Sequence, residues 1–291
     1  NYVIYSDFNE KGEFYTKLFC VNPSGNIQSC MQTGIATIFF SATLLPVNYY
    51  KELLSGDIND YAIYIDSPFD TRKRLISIGR DVSSKYTRRN KDEYEKILKI
   101  IKSVISSCKG NYMIFFPSYK LMNEIYSLSI QNNFMEECDI LCQNTNMKER
   151  EREEFLENFQ QEREKSLLGF CVLGGIFSEG IDLKNERLIG SIIIGTGLPM
   201  VCSEREILKK FYDKIGKNGF DYAYRYPGMN KVLQAAGRVI RTDEDYGVIS
   251  LLDERFLQRD YQNLFPREWK NFEIIDGKNA KDVVEHFWKY V

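Results

Sequence analysis

Lys91-Asp-Glu-Tyr-Glu-Lys-Ile-Leu-Lys-Ile-Ile-Lys-Ser-Val-Ile-Ser-Ser-Cys108, followed after Lys109-Gly110 by Asn111-Tyr-Met-Ile-Phe-Phe-Pro-Ser-Tyr119, is the stretch that decides the fold. In its first half the apolar residues Tyr94, Ile97, Leu98, Ile101, Val104 and Ile105 recur at the spacing that lines one face of an α-helix. The second half is an unbroken apolar run ended by Pro117, too short for a helix and apolar on both faces of a strand. Strands of that kind belong to parallel sheets covered on both sides. The same texture spreads outward in both directions. Further short runs read as strands at Ala36-Thr-Ile-Phe-Phe40, Tyr61-Ala-Ile-Tyr-Ile65, Asp139-Ile-Leu-Cys142, Leu168-Gly-Phe-Cys-Val-Leu173, Ser191-Ile-Ile-Ile194 and Val248-Ile-Ser-Leu-Leu252. Between two of them lies the charged stretch Met147–Lys165, with Phe155, Leu156 and Phe159 as its apolar anchors, which reads as a solvated outer helix. Ahead of all this, 1–6 and 13–21 form a hairpin-like pair around the turn-prone Asn9-Glu-Lys-Gly12. The pattern predicts an α/β fold: a doubly wound, mostly parallel sheet with helices on both faces, preceded by a short β-hairpin-like segment. Ligands are then expected at the carboxyl ends of strands.

Composition narrows the chemistry. Across 291 residues, 39 Lys+Arg nearly balance 41 Asp+Glu, so any nucleic-acid contact must come from a local basic groove and not from a global positive field. Histidine occurs once, at His286, which removes most triads and multi-histidine metal sites. Seven cysteines, without a CxxC pair, fit a reducing interior with buried thiols. Cys138 and Cys142 lie in one apolar run; on a strand they would stand about 13 Å apart, too far to share a metal. No metal ligands are therefore expected in this chain. No apolar run reaches membrane-spanning length, and no membrane association is expected. The chain opens at Asn1 instead of Met, as a piece of a longer polypeptide would.

Four segments carry candidate chemistry. Gln234-Ala-Ala-Gly-Arg-Val-Ile-Arg241, on a helix predicted to begin near Pro227-Gly228, places Gln234, Arg238 and Arg241 at i, i+4 and i+7 on one face, with Gly237 allowing close approach of another surface. Paired guanidinium groups suit the charge of a transferring phosphoryl group, and equally suit surface ion pairs with Asp243 or Asp245. Gly174-Gly-Ile-Phe-Ser-Glu-Gly-Ile-Asp182 follows a strand and offers backbone amides to phosphate or sugar oxygens. Phe115-Phe-Pro-Ser-Tyr119 and Phe39-Phe-Ser-Ala-Thr-Leu44 each bring hydroxyls to the end of an apolar run. Two other segments weigh less. Lys217–Tyr226 interleaves aromatic and basic residues, a pattern that serves strand binding or packing of the following helix. Gly195-Thr-Gly197 resembles part of a dinucleotide fingerprint, but lacks its third glycine.

In order and wording, Ser41-Ala-Thr-Leu44, Phe116-Pro-Ser-Tyr119, Ser178-Glu-Gly-Ile-Asp182 and Gln234-x-x-Gly-Arg-x-x-Arg241 resemble motifs III to VI of superfamily 2 helicases. The wording is closest to the XPD/DinG branch. Ser83-Ser-Lys-Tyr-Thr-Arg-Arg89 and Tyr246–Phe256 add to the likeness, which covers roughly residues 36–275. The resemblance implies a RecA-like fold, with residues 1–45 as the end of a first helicase lobe that includes motif III, and 46–291 as the second lobe. It implies an ATP-dependent DNA helicase, 5′→3′ in polarity and serving repair or replication. Arg238, Arg241 and Gln234 would be catalytic, Gly180, Asp182 and Gly237 would approach the nucleotide, and Arg89, Ser118, Tyr119, Gly175 and Ser178 would grip single-stranded or forked DNA. ATP and Mg²⁺ would be held mainly by the first lobe, since neither a Gly-x-x-x-x-Gly-Lys-Ser/Thr loop nor a DEAH-type box occurs here. An iron–sulfur cluster would belong to other parts of the full-length protein. The expected compartment is the cytoplasm or nucleoid in bacteria and the nucleus in eukaryotes. In many XPD-like proteins a Lys precedes the Val-Ser-Glu segment; here Ile176 stands there. Two other classes fit the residues: a non-motor nucleic-acid or interaction module with this fold, and a small-molecule enzyme using Gly195-Thr-Gly197.

Overall fold

The computed structural model describes every residue except Glu162 and 178–187, and every side chain among those residues except that of Met135. In chain order the strands are β1 (Tyr2–Phe8), β2 (Phe14–Cys20), β3 (Arg74–Gly79), β4 (Asn111–Phe116), β5 (Cys138–Cys142), β6 (Ser166–Val172), β7 (Gly190–Ile194), β8 (Gly247–Leu252) and β9 (Glu273–Ile275). The main helices are α1 (Ser24–Met31), α2 (Val47–Leu54), α3 (Lys91–Ser107), α4 (Tyr119–Gln131), α5 (Glu149–Glu157), α6 (Ser203–Lys214) and α7 (Tyr226–Ala236), with a C-terminal helix at Ala280–Trp288.

The chain divides into two compact units. One comprises Asn1–Ile65 and Leu198–Asn230, the other Asp66–Gly197 and Lys231–Val291. The division groups 46–65 and 198–230 with the N-terminal hairpin and passes through α7.

The larger unit is a seven-stranded sheet in the order β5-β6-β4-β7-β8-β3-β9, with every pair parallel. Side chains alternate across it. Tyr112, Ile114 and Phe116 of β4 join Phe170, Ile192 and Leu252 in one apolar layer under α3, α4 and the C-terminal helix. On the other face, a Cβ at Gly169 would touch the rings of Phe159 and Phe155, and Ser191 Oγ donates to Ala235 O at 3.2 Å. The stretch containing α5 and the helix α7 therefore cover that side. Helix α3 begins at the cap Asn90, whose side chain accepts from Glu93 N at 2.9 Å, and buries Ile97, Ile100, Ile101 and Val104. A sheet buried on both faces by helices is the arrangement that the apolar strands require. This is the doubly wound, RecA-like architecture expected.

In the smaller unit β1 and β2 pair antiparallel from Tyr2↔Cys20 to Phe8↔Phe14. Tyr5 and Lys17, on one face of this ribbon, both bond the Glu204 carboxylate of α6, at 2.9 and 2.5 Å. Tyr212 and Tyr222 stack at 4.0 Å, and Tyr49 meets Tyr222 edge-on at 5.4 Å. Tyr222, Ala223 and Tyr224 are buried, so 222–224 serve packing.

Two expected strands are not strands. Ala36–Phe40 and Tyr61–Ile65 belong to no strand, with Ile38 82%, Phe40 89%, Ile63 87% and Ile65 84% exposed. Their composition suits a strand, but a strand exists only against a neighbour, and the seven-stranded sheet uses other segments. Its hidden members are β3 and β9. Arg74-Leu-Ile-Ser-Ile-Gly79 follows the short 3-10 turn Thr71–Lys73 and contains Ser77, whose hydroxyl meets Ser250 Oγ at 2.9 Å inside the sheet. Among the described residues of Met147–Lys165 the α-helix covers only Glu149–Glu157, burying Phe155, and a 3-10 turn at Asn158–Gln160 follows, burying Phe159.

Candidate functional site

Because all seven strands run the same way, their carboxyl ends gather at one edge of the sheet. From β4 come Ser118 and Tyr119. Ser118 caps α4, its hydroxyl accepting from Leu121 N at 3.3 Å, a local need at any helix start. Tyr119 Oη accepts from Gln143 Nε2 at 2.7 Å. From β6 comes the turn Leu173-Gly174-Gly175. Gly174 has φ +71°, and a Cβ there would lie 2.8 Å from Lys231 Cε of α7 and 3.2 Å from its Nζ. A Cβ on Gly175 would lie 2.9 Å from Val172 O and 3.0 Å from Gln143 Nε2. Gly174 is required by its conformation, and Gly175 by contact with backbone.

From β3 comes the loop that carries Tyr86 and Arg89. Arg89 Nε donates to Ser84 O at 3.1 Å, and its guanidinium lies 5.7 Å from the centroid of the exposed Tyr86 ring. Carboxylates brace this loop from beneath. The buried Asp253, just past β8, accepts from Ser84 N at 2.8 Å, Ser84 Oγ at 2.9 Å and the Arg255 guanidinium at 2.8 Å. Glu254 pairs with Lys85 and Arg88, each at 2.9 Å, and Glu93 pairs with Arg88 at 2.9 Å. Burial works to raise the Asp253 carboxyl, but Arg255 and the backbone N–H donors overcome it and hold the group below its usual range.

The arginine segment sits at the opposite edge. Helix α7 ends at Ala236, and its last turn closes through Gly237 N to Leu233 O at 2.9 Å. Gln234 is therefore on the helix, whereas Arg238 and Arg241 lie beyond it. The single helical face expected for all three does not form. Its end follows from Val239 and Ile240, which are buried and draw the chain inward between two half-buried arginines. The buried Asp245 accepts from Arg241 N and Thr242 N, both at 2.7 Å, and fixes this turn just before β8. Asp245 thus holds the backbone of the arginine turn. Around Gly237 a Cβ would meet only carbonyls of its own helix, Leu233 O at 3.3 Å and Gln234 O at 3.7 Å.

The structure consequently brings Arg89, Ser118, Tyr119 and Gly175 to the carboxyl edge and Arg238 and Arg241 to the amino edge. Five residues of β7 at 3.3 Å each separate the two edges by about 17 Å. Ser178, Gly180 and Asp182 lie outside the described residues. Gln143 and Lys231 were not singled out in the sequence; Asp245 was considered only as an ion-pair partner of the arginines, and Ser84, Asp253 and Arg255 only within segments that add to the likeness. A polar residue directly after the apolar run Cys138–Cys142 marked Gln143, by the same rule that marked Ser118. Cys138 and Cys142 share β5, and burial pushes both thiols up to about 12. Among the described residues no three His, Cys, Asp or Glu side chains are grouped to hold a metal, and no helix is long and apolar enough to cross a membrane.

Comparison with known proteins agrees with this fold. The chain is 26% identical over 231 residues to the ATP-dependent DNA helicase XPD of Sulfolobus acidocaldarius, covering 76% of this chain and 39% of that protein. It is 28% identical over 264 residues to a regulator of telomere elongation helicase 1 homolog of Anopheles gambiae, covering 82% of this chain and 26% of that protein. The chain thus spans about two fifths and about a quarter of these relatives. A solved structure titled XPD_Helicase shares the fold with a TM-score of 0.68 at 21% identity, over 91% of this chain and 46% of that one. Residues 101–272, more than half of the chain, match the helicase C-terminal domain model, and the chain belongs to that family.

Proposed function

We propose that this chain is the second RecA-like lobe of an XPD-type, ATP-dependent DNA helicase. Arg238 and Arg241 reach the γ-phosphate of ATP, which a first lobe of the same polypeptide holds together with Mg²⁺. Gln234 orients the arginines or the attacking water, and Gly237 keeps the approach open. Gly180 and Asp182 complete the nucleotide side. Arg89, Ser118, Tyr119, Gly175 and Ser178 grip a single strand or the strand of a fork. Translocation is 5′→3′, in DNA repair or replication. Any iron–sulfur cluster belongs to other parts of the full-length protein.

The observation that carries this reading is the separation of the two groups onto opposite sheet edges, with α7 between them. Lys231 of α7 lies on the strand-side glycine turn, and the helix ends directly before the arginine turn. A change in charge at the nucleotide edge would then move a rigid helix that rests against the strand edge, the kind of coupling a lobe-closing motor needs. Guanidinium groups suit this post because they stay charged and spread their donors over several phosphate oxygens.

A first lobe also accounts for the apolar segments outside the sheet. Ala36–Phe40 and Tyr61–Ile65 have strand composition and lie outside the sheet. We assign residues 1–45, with motif III, to the end of that lobe, whose sheet would take these segments as strands. Residues 46–291 are then chiefly the second lobe, the run at 61–65 excepted.

The test is turnover in the full-length protein. Replacing Arg238 or Arg241 by Ala should lower DNA-stimulated ATP hydrolysis by about 10³-fold or more, with the thermal unfolding midpoint held. Wild-type turnover in both variants refutes the assignment.

A further inference from the structure

Gln143 follows β5 directly and is almost wholly buried among the loops of three neighbouring strands. Its Oε1 accepts from Val172 N at 3.0 Å, at the end of β6. Its Nε2 donates to Tyr119 Oη at 2.7 Å, just past β4. Its own N–H donates to Phe170 O at 2.8 Å. The orientation of the amide is not arbitrary, because a backbone N–H can face only the oxygen, which leaves the nitrogen for the phenol. Tyr119 Oη therefore acts as acceptor and turns its proton toward Asn144 O, 3.4 Å away. Gly175 closes the arrangement, since any Cβ there would press on the same amide.

A residue needed only for packing at this depth would be apolar, because a buried amide is costly unless both its ends are bonded. Here both ends are bonded, and to different loops. Tyr119 is part-buried and packs against the apolar core, and with its hydroxyl engaged what its ring leaves exposed is carbon surface, on which a nucleobase stacks without regard to sequence. The adjacent glycine turn lets a backbone approach closely. We infer that Gln143 is the positioning residue of this edge: it holds the Tyr119 ring and the Gly174-Gly175 turn in one arrangement that receives successive nucleotides of single-stranded DNA. Holding both before binding lowers the ordering cost on binding. The inference rests on the strand-gripping part of the proposed function.

The experiment is fluorescence anisotropy of labelled oligothymidine with the full-length protein, titrated at several salt concentrations. Gln143→Leu should weaken binding about three- to tenfold, the equivalent of one neutral hydrogen bond. The slope of log affinity against log salt should stay unchanged, because no phosphate-neutralising cation is lost. Tyr119→Phe, which removes the same bond and keeps the ring, should weaken binding in the same direction. The double variant should be no more than about twofold weaker than the weaker single variant, as expected for two residues acting as one unit. Wild-type affinity in Gln143→Leu, or losses that multiply in the double variant, would overturn the inference. If Gln143→Leu fails to fold, Tyr119→Phe decides alone, and unchanged binding there overturns it. A wild-type protein that does not bind oligothymidine overturns the functional reading and the inference with it. Binding by wild type with unaffected variants overturns the inference only.

Discussion

Gly190 opens β7 beside Tyr112, and a Cβ there would sit 2.3 Å from the ring's Cδ1. Tyr112 cannot yield, being fully buried with its hydroxyl bonded to Cys108 O at 2.6 Å. Gly190→Ala should therefore cost about 1–3 kcal/mol, as overpacking does, seen as a lower denaturant midpoint at unchanged slope. The need for glycine is invisible in sequence, because Tyr112 lies far away along the chain. The same holds for Gly175, where only the folded chain brings Gln143 alongside. What the sequence showed at this scale was residue type in local context: hydroxyls after apolar runs, glycines after a strand, arginines three apart. It marked Ser118, Tyr119, Gly175, Arg238 and Arg241 as candidates. It passed over Gln143 and gave Asp253 no role; their partners belong to other loops.

At the scale of elements, the loops after β3 and β8 are welded by buried charge. Asp253 holds Ser84 and Arg255 and is depressed below its usual pKa near about 3.9. A group depressed by folding stabilises the protein above its unfolded pKa and loses that contribution as pH falls through the folded value. The gap in thermal midpoint between wild type and Asp253→Asn should therefore be wide at pH 6–7 and narrow below about pH 4. Calorimetry across pH measures it, and a gap independent of pH would sink this assignment. Carboxylates common to both proteins cancel in the difference. Helix α7 teaches a related lesson. A helical reading of 234–241 follows local spacing, but Val239 and Ile240 gain more by burial than by continuing the helix, so the arginines sit on a turn fixed by Asp245.

For the whole molecule, the notable liability is apolar surface on segments outside the sheet. Ile38, Phe40, Ile63 and Ile65 stand exposed on chain of strand composition, which invites pairing with another copy. Lys at Ile38 and Ile63 should reduce self-association of the 291-residue chain, measured by sedimentation, without lowering its thermal midpoint. A drop in midpoint would mean that these side chains are buried in the chain's own core. Short-range pattern alone determined that this is a doubly wound parallel α/β protein with a leading hairpin, since periodicity and apolar runs depend on neighbours a few residues apart. Tertiary structure alone decided which runs become strands, where the arginine helix stops, and that nucleotide and strand candidates occupy opposite edges. Those outcomes turn on hydrogen-bond partners and burial between segments distant in the chain, and no local pattern encodes which distant segment will arrive.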